Sequence, residues 1–284
     1  QPKGEDIAGF IYTSGTTGNP KGVLLSHANI TSNVNAVHSL FPMDSEDISL
    51  SFLPWAHSFG QTCELHCLLS YGAAMGLAES VETIVANLAE VRPTLLFSVP
   101  RIFNRIYDGV HKKMAEAGGA KLKLFNATMA VSTERRRLET IGRSSLVLNL
   151  KHAVLDKVVA SKVRERFGGR LKYAFSGGAA LSKEVGEFID NLGIKVYEGY
   201  GLTETSPIVT CNRPGAQVIG SIGRAIPGVQ VKIDPVESAP EGQGEVVVYG
   251  PHVMPTRGSK CAVRMLASRY LENILGCSGR GSDR

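Results

Sequence analysis

Over residues 1–254, short apolar runs closed by glycine or proline alternate with segments whose apolar residues recur every three or four positions. Ile7–Tyr12 reads as a short buried strand, and Val23–His27 leads into a helix from about Ala28. Residues 48–54 alternate and read as a strand ending at Pro54, and 59–70 suit a helix. Val81–Val91 has helical spacing and stops before Pro93, and Thr94–Val99 is a buried strand closed by Pro100. This alternation predicts an α/β fold with a mainly parallel sheet flanked by helices.

Residues 101–172 differ. Apolar residues at 102, 103, 106, 110 and 114 make a helical stripe, Gly118-Gly119 breaks it, and Leu122–Leu138 and His152–Phe167 read as two further helices. This is a mainly helical insertion between strands. Leu171–Ser176 reads as the next strand, followed by a helix with Ser182 as its N-cap and a strand at Ile194–Tyr197. Val229–Ile233 and Gly244–Tyr249 read as β segments, the start of a small β region over 225–254. The core therefore runs over 1–254, and 255–284 reads as an aberrant or disordered tail with one apolar helical hint, Val263–Leu275.

Charge sharpens this division. The net charge is +5, but residues 1–100 carry 3 basic and 9 acidic groups whereas 101–172 carry 17 and 6. The insertion is therefore a basic surface, in the first instance the solvated faces of helices. Its basic residues are not interleaved with aromatics, which argues against a strand-stacking nucleic-acid surface. Contact with an anionic membrane is compatible with it. No run approaches 18 apolar residues, so no membrane-spanning helix is expected. Cysteines at 63, 67, 211, 261 and 277 make no paired framework and read as free thiols in a reducing compartment. The chain opens at Gln1 with no signal peptide, and reads as a piece whose upstream part is missing.

The densest chemistry lies at Tyr12-Thr-Ser-Gly-Thr-Thr-Gly-Asn-Pro-Lys-Gly22, with four hydroxyl side chains, three glycines and one lysine in the ten residues after the tyrosine. Glycines let backbone approach a ligand, and amides and hydroxyls then face phosphate oxygens. The spacing is not that of a Walker loop, since Pro20 stands at its second glycine and Gly22 at its Ser/Thr. Two further glycine-rich segments follow strands, at 176–180 and 198–204. Ligands of open α/β sheets sit beyond strand carboxyl ends, so both can face one crevice with the first. Glu204 there suits a magnesium ion, which takes oxygen ligands and substrate phosphates, and Tyr200 can stack on a base.

Thr13–Gly22, Ser176-Gly-Gly-Ala179 and Tyr197-Glu-Gly-Tyr-Gly-Leu-Thr-Glu204 occur in the order of the signature motifs of the adenylate-forming enzymes, which the chain resembles from about residue 5 to 254. The long helical insertion after Val99-Pro-Arg-Ile-Phe103 and the segment Leu53-Pro-Trp-Ala-His57 make it most similar to long-chain fatty acyl-CoA synthetases. The resemblance implies ATP, Mg²⁺ and coenzyme A, with a fatty carboxylate attacking the α-phosphorus and the thiol then taking the acyl group. Thr13, Ser14, Gly15, Thr16, Thr17, Gly18 and Lys21 would hold the β- and γ-phosphates. Gly177, Gly178 and Ala179, with Glu198, Gly199, Tyr200 and Gly201, would frame adenine. Glu204 with Thr13 would bind the metal, Thr203 the α-phosphate, and His57 would lie near the acyl carboxylate. Lys21, His57, Thr203 and Glu204 are thus the catalytic candidates. The implied setting is cytoplasmic, peripheral on the membrane face.

After Met254 the family's Gly-Asp motif and its lysine-bearing C-terminal domain are not recognisable. The competing expectations are therefore a nucleotide-binding fragment without catalytic competence, or another adenylate-forming ligase. An amino-acid-activating domain would carry an aspartate near His57, and 53–60 contain none.

Overall fold

The computed structural model describes residues 1–13, 21–235 and 244–255, together with the backbone of 262–266. In chain order the elements begin with β1 Ile7–Thr13, β2 Lys21–Ser26, α1 His27–Leu40 and β3 Ile48–Ser51. A π-helical stretch Phe59–His66 runs into α2 Cys67–Tyr71, then come β4 Ala74–Leu77, α3 Ile84–Val91 and β5 Leu95–Ser98. The helical region follows as α4 Pro100–Ala117, α5 Gly119–Thr140, α6 Leu146–Leu155, a π-helical turn Asp156–Ala160, α7 Ser161–Arg164 and a 3₁₀ turn Glu165–Phe167. After it stand β6 Tyr173–Ser176, α8 Lys183–Asn191, β7 Val196–Gly201, a 3₁₀ turn Thr203–Thr205, β8 Ile208–Cys211, β9 Arg224–Ala225, β10 Gln230–Pro235, β11 Gly244–Tyr249 and β12 Ala262–Leu266. The chain divides into two compact units, one of residues 1–45, 53–73 and 197–284, the other of 46–52 and 74–196.

The second unit is an α/β layer. Its strands lie in the order β4-β3-β5-β6 and pair in parallel. Leu50, Leu96 and Ala174 pack with Phe103, Phe125, Phe167, Phe188 and Ile189 in one core, while Phe97 and Phe175, one residue on along each strand, stack at 4.7 Å outside that cluster. This is the period of two of a strand. β3 is buried from Ser49 to Ser51 rather than on alternate residues, because it pairs on both edges. Asp47 fastens the starts of three strands. It accepts from Thr94 Oγ1 at 2.6 Å and pairs with Lys172 at 2.7 Å, while Thr94 Oγ1 also accepts from the Ile48 amide at 3.0 Å. A buried carboxylate needs such partners to offset its lost hydration.

The basic helices use much of their charge locally. Arg135 pairs with Glu139, Arg137 with Glu134, and Arg136 reaches Asp190 and the Glu187 carbonyl on α8. Arg164 grips Asp156 through two bonds of 2.6 and 2.7 Å and donates to the Leu192 carbonyl. At Gly168, with φ +86°, a Cβ would stand 2.8 Å from the Leu88 carbonyl oxygen, so only glycine closes the helical region onto the end of α3.

The first unit is built around α1. Ser26 caps it, accepting from the Asn29 amide at 3.2 Å while Asn29 Oδ1 accepts from the Ser26 amide at 3.0 Å. The other end of Asn29 donates to the Pro251 and Val253 carbonyls at 2.8 and 2.9 Å. One helical turn on, fully buried Asn33 donates to the Thr205 and Ile208 carbonyls and accepts from the Ile208 amide at 3.1 Å. β7, β8 and β9 pair antiparallel, as do β10, β11 and β12. Val209, Val246, Val248 and Val253 form a small core between these strands, and Ile11, Val23 and Leu25 form another with Ile30 and Met254.

Three expectations are corrected. β1 is not a buried strand: Phe10 is 66% and Tyr12 73% exposed, because β1 pairs with β2 alone and turns only Ile11 toward a core. The 198–204 segment is not all loop, since β7 runs through Gly201 by pairing with β8. The helical hint after Val263 begins as a strand, β12, which pairs with β11, and 267–275 lie outside the described residues. Cys63, Cys67 and Cys211 are buried free thiols, and burial pushes Cys67 and Cys211 up to about 12. Cys261 and Cys277 lie outside the described residues.

Two predictions follow from the first unit. Replacing Asn33 with alanine leaves an amide and two carbonyls without their partner, and should lower unfolding stability by about 2–3 kcal/mol, read from the urea midpoint. His252 is wholly buried with neither ring nitrogen bonded to a described residue, and burial lowers its pKa to about 4. It folds neutral, so its contribution is complete above the unfolded value of 6.5 and is lost as pH falls toward 4. Between pH 6.5 and 5 that group should cost about 2 kcal/mol. His66 and His152, also lowered by burial, act in the same direction. Urea titrations at the two pH values check this, and His252→Asn should flatten the slope.

Candidate functional site

The two strands that flank the glycine-rich loop form an antiparallel hairpin in which Thr13 stands opposite Lys21. Thr13 Oγ1 donates to the Lys21 carbonyl at 3.4 Å, so the ends of the two strands are held together. Ser14, Gly15, Thr16, Thr17 and Gly18 lie outside the described residues. The hairpin sits on α1, whose N-cap Ser26 is the last residue of β2.

Thr203 and Glu204 occupy the 3₁₀ turn that follows β7. Thr205 shapes the turn from inside, its Oγ1 accepting from the Leu202 amide at 3.0 Å and donating to the Pro207 carbonyl at 2.5 Å. Asn33 holds the far side, as described above, and the Met254 amide donates to the Glu204 carbonyl at 2.8 Å. Met254 in turn packs against Val23 and Leu25 of β2, and β2 itself contacts the 203–205 turn. Thr13, Lys21, Thr203 and Glu204 are therefore gathered on one scaffold of α1, β2 and the 251–254 segment. The half-buried Glu204 carboxylate forms no hydrogen bond or ion pair with another described residue.

Glycines fit β7 closely against its partner. A Cβ on Gly199 would stand 3.2 Å from the Thr210 carbonyl oxygen, and one on Gly201 would run into the Pro207 carbonyl. Between them, Tyr200 packs against the valine core of β8 and β11, and burial and the Glu204 charge raise its phenol pKa. Glu198 is buried, and its carbonyl accepts from the Asn212 amide at 2.8 Å.

His57 is exposed just before the π-helical stretch, with its amide on the Pro54 carbonyl at 3.0 Å and its carbonyl accepting from Gln61 at 2.9 Å. A Cβ on Gly60 would meet the Pro54 carbonyl oxygen at 2.8 Å, so glycine lets this tight entry form. Gly177, Gly178 and Ala179 belong to the other unit, where they follow β6. Gly177 donates to the Ser98 carbonyl at 3.2 Å, Gly178 has φ +79°, and Gly178 and Ala179 are exposed.

Sequence reasoning passed over Asn29 and Asn33. The available signal was their spacing of four, which puts both on one face of the helix with Val37. Asparagine is a poor interior helix residue, and it earns a place there when its amide has a backbone to satisfy.

Known proteins resemble the chain along most of its length. The model of the family described as AMP-binding enzyme matches residues 1–256. The chain is 37% identical over 261 residues to long chain acyl-CoA synthetase 6, peroxisomal, of Arabidopsis thaliana, covering 88% of the chain and 36% of that protein. It is 36% identical over 253 residues to the putative fatty-acid–CoA ligase fadD11 of Mycobacterium tuberculosis, covering 88% of the chain and 43% of that protein. The chain thus spans well under half the length of these relatives. Among solved structures, the ATP-bound RpMatB-BxBclM chimera B3 matches with a TM-score of 0.61 and 25% identity, over 89% of this chain and 41% of that one. A benzoate CoA ligase from Burkholderia xenovorans LB400 shares the fold with a TM-score of 0.62 and 22% identity, over 93% of this chain and 46% of that one. The chain belongs to the AMP-binding enzyme family of adenylate-forming ligases.

Proposed function

We propose that this chain is the nucleotide-binding part of an AMP-forming long-chain fatty acid:CoA ligase. The observation that carries the reading is the shared scaffold on which α1, β2 and Met254 set the Thr13–Lys21 hairpin beside the Thr203–Glu204 turn. A lysine on one side, with a hydroxyl and a carboxylate on the other, suits a triphosphate. The names of the relatives support fatty acids and coenzyme A as co-substrates.

In the proposed reaction a fatty carboxylate oxygen attacks the α-phosphorus, and pyrophosphate leaves with the bonding electron pair. The coenzyme A thiolate then attacks the acyl carbon and AMP leaves. Lys21 holds the β- and γ-phosphates, Thr203 positions the α-phosphate, and His57 lies toward the acyl carboxylate. Glu198 to Gly201 lie against adenine. The work of these groups is positioning and charge neutralisation.

The donor chemistry suits magnesium. The Glu204 carboxylate forms no hydrogen bond or ion pair with another described residue. Magnesium binds through one or two carboxylates plus substrate phosphates, and supplies neutralising charge on the phosphates when bound. Glu204 and Thr13 would hold it.

No described helix is long and apolar enough to cross a membrane. The proposed setting is the cytoplasmic face of a membrane, with peripheral contact. Its support is the outer face of α6, where Leu146 is 88%, Val147 66%, Leu150 70% and Val154 57% exposed beside Arg143, Lys151 and Lys157. An apolar stripe with basic flanks suits an anionic bilayer surface.

The test is calorimetric titration of Mg·ATP, followed by pyrophosphate release with palmitate. Binding is expected, with Lys21→Ala and Glu204→Gln each weakening it at least tenfold, or about 1.4 kcal/mol. Binding without pyrophosphate release assigns this chain nucleotide binding alone, and absence of binding contradicts the reading. Leu146→Asp with Leu150→Asp should reduce sedimentation with anionic vesicles severalfold.

A further inference from the structure

A cavity of about 270 Å³ opens in the helical layer of the second unit, between α3, α4 and the 163–167 stretch. Its walls are aliphatic and aromatic: Ile84 and Leu88 from α3, Ile106 and Val110 from α4, Val163 and Phe167 from the last stretch. None of these residues lies in the three glycine-rich motifs.

Its charge is one-sided. Arg105, Lys113 and Arg166 line it against a single carboxylate, Glu82. Glu82 is engaged by its own backbone and Ser80 and lies near Arg105. Lys113 and Arg166 form no hydrogen bond or ion pair with another described residue. That contrasts with Arg135, Arg136, Arg137 and Arg164, which are all paired.

Gly109 lies on the same stripe of α4, four residues from both Arg105 and Lys113. An interior glycine weakens a helix relative to alanine. No packing demands it here, since a Cβ at Gly109 would find nothing within 4 Å. Its consequence is an open wall in the cavity, between two cationic side chains.

We propose that this cleft binds a single-chain amphiphilic anion, with the aliphatic chain along Ile84, Ile106, Val110 and Phe167 and the anionic head at Lys113 and Arg166. Apolar walls with few converging polar groups are the usual make-up of small-ligand sites, whose volumes begin at about 300 Å³. Each methylene buried there strengthens binding about fourfold. The site does not depend on the adenylation reading, because neither nucleotide nor the motif residues take part.

The test uses the 284-residue chain, methyl-labelled at isoleucine and valine, titrated with monomeric dodecanoate and, separately, with dodecyltrimethylammonium. Dodecanoate should shift the methyl signals of Ile84, Ile106 and Val110 in a saturable manner, at least tenfold more tightly than the cationic amphiphile. Gly109→Leu fills the open wall and favours the helix, so it should keep the melting temperature while weakening dodecanoate at least tenfold. Lys113→Glu with Arg166→Glu should reverse the preference between the two amphiphiles. Absence of saturable shifts at these methyls, equal binding of both amphiphiles, or undiminished binding in a folded Gly109→Leu or charge-reversed variant would each overturn the proposal. Mg·ATP titration of the same samples reads the adenylation site separately.

Discussion

Two asparagines one helical turn apart on α1 hold the candidate site together. Asn29 satisfies the carbonyls of Pro251 and Val253, and Asn33 those of Thr205 and Ile208 with the Ile208 amide. Each is buried, and the backbone groups they meet would otherwise be desolvated without partners. The cost of leaving such groups unmatched fixes the turn that carries Thr203 and Glu204 and the segment that carries Met254. Since α1 grows directly out of β2, the same helix sets both turn and segment relative to the Thr13–Lys21 hairpin. The position of the catalytic candidates therefore rests on buried amide hydrogen bonds more than on the apolar contacts around them.

Local chemistry made much of the fold legible. Gly118 ends α4 with φ +55°, and Ser182 caps α8 by accepting from the Val185 amide, both as their residue types suggest. The apolar stripe at 102, 106 and 110 does form one face of α4. The family assignment was legible as well, because three short motifs keep their order. What failed depended on distant partners. Gly199 and Gly201 look like loop residues in sequence, yet β8 draws them into a strand whose close backbone contacts require glycine. Residues 262–266 carry a helical pattern that pairing with β11 overrides. β4, an edge strand with Gly76 inside it, and β8, which follows the 203–205 turn, were not read from the sequence.

The candidate site was legible as a set of residues but not as an arrangement. Thr13, Lys21 and Glu204 were singled out by composition and Thr203 by the family resemblance, whereas what unites them, Asn29, Asn33 and Met254, looks ordinary in sequence. A capping pair such as Ser26 and Asn29 is a local signal, but the amide of Asn29 reaches residues more than 220 positions away. The basic insertion shows the same limit. Its charge count was plain, yet only the structure separates arginines occupied in ion pairs from Lys113 and Arg166, which are not.

The central claim is that the hairpin and the 203–205 turn form one nucleotide-binding scaffold. Amide hydrogen exchange with and without Mg·ATP tests it most directly, since it reads each segment by itself. The account predicts that nucleotide slows exchange together at Lys21–Val23 and at Thr203–Thr205, and that Asn33→Ala uncouples the two. Protection of one segment without the other in the unaltered chain, or protection confined to the helices of 100–167, would contradict it.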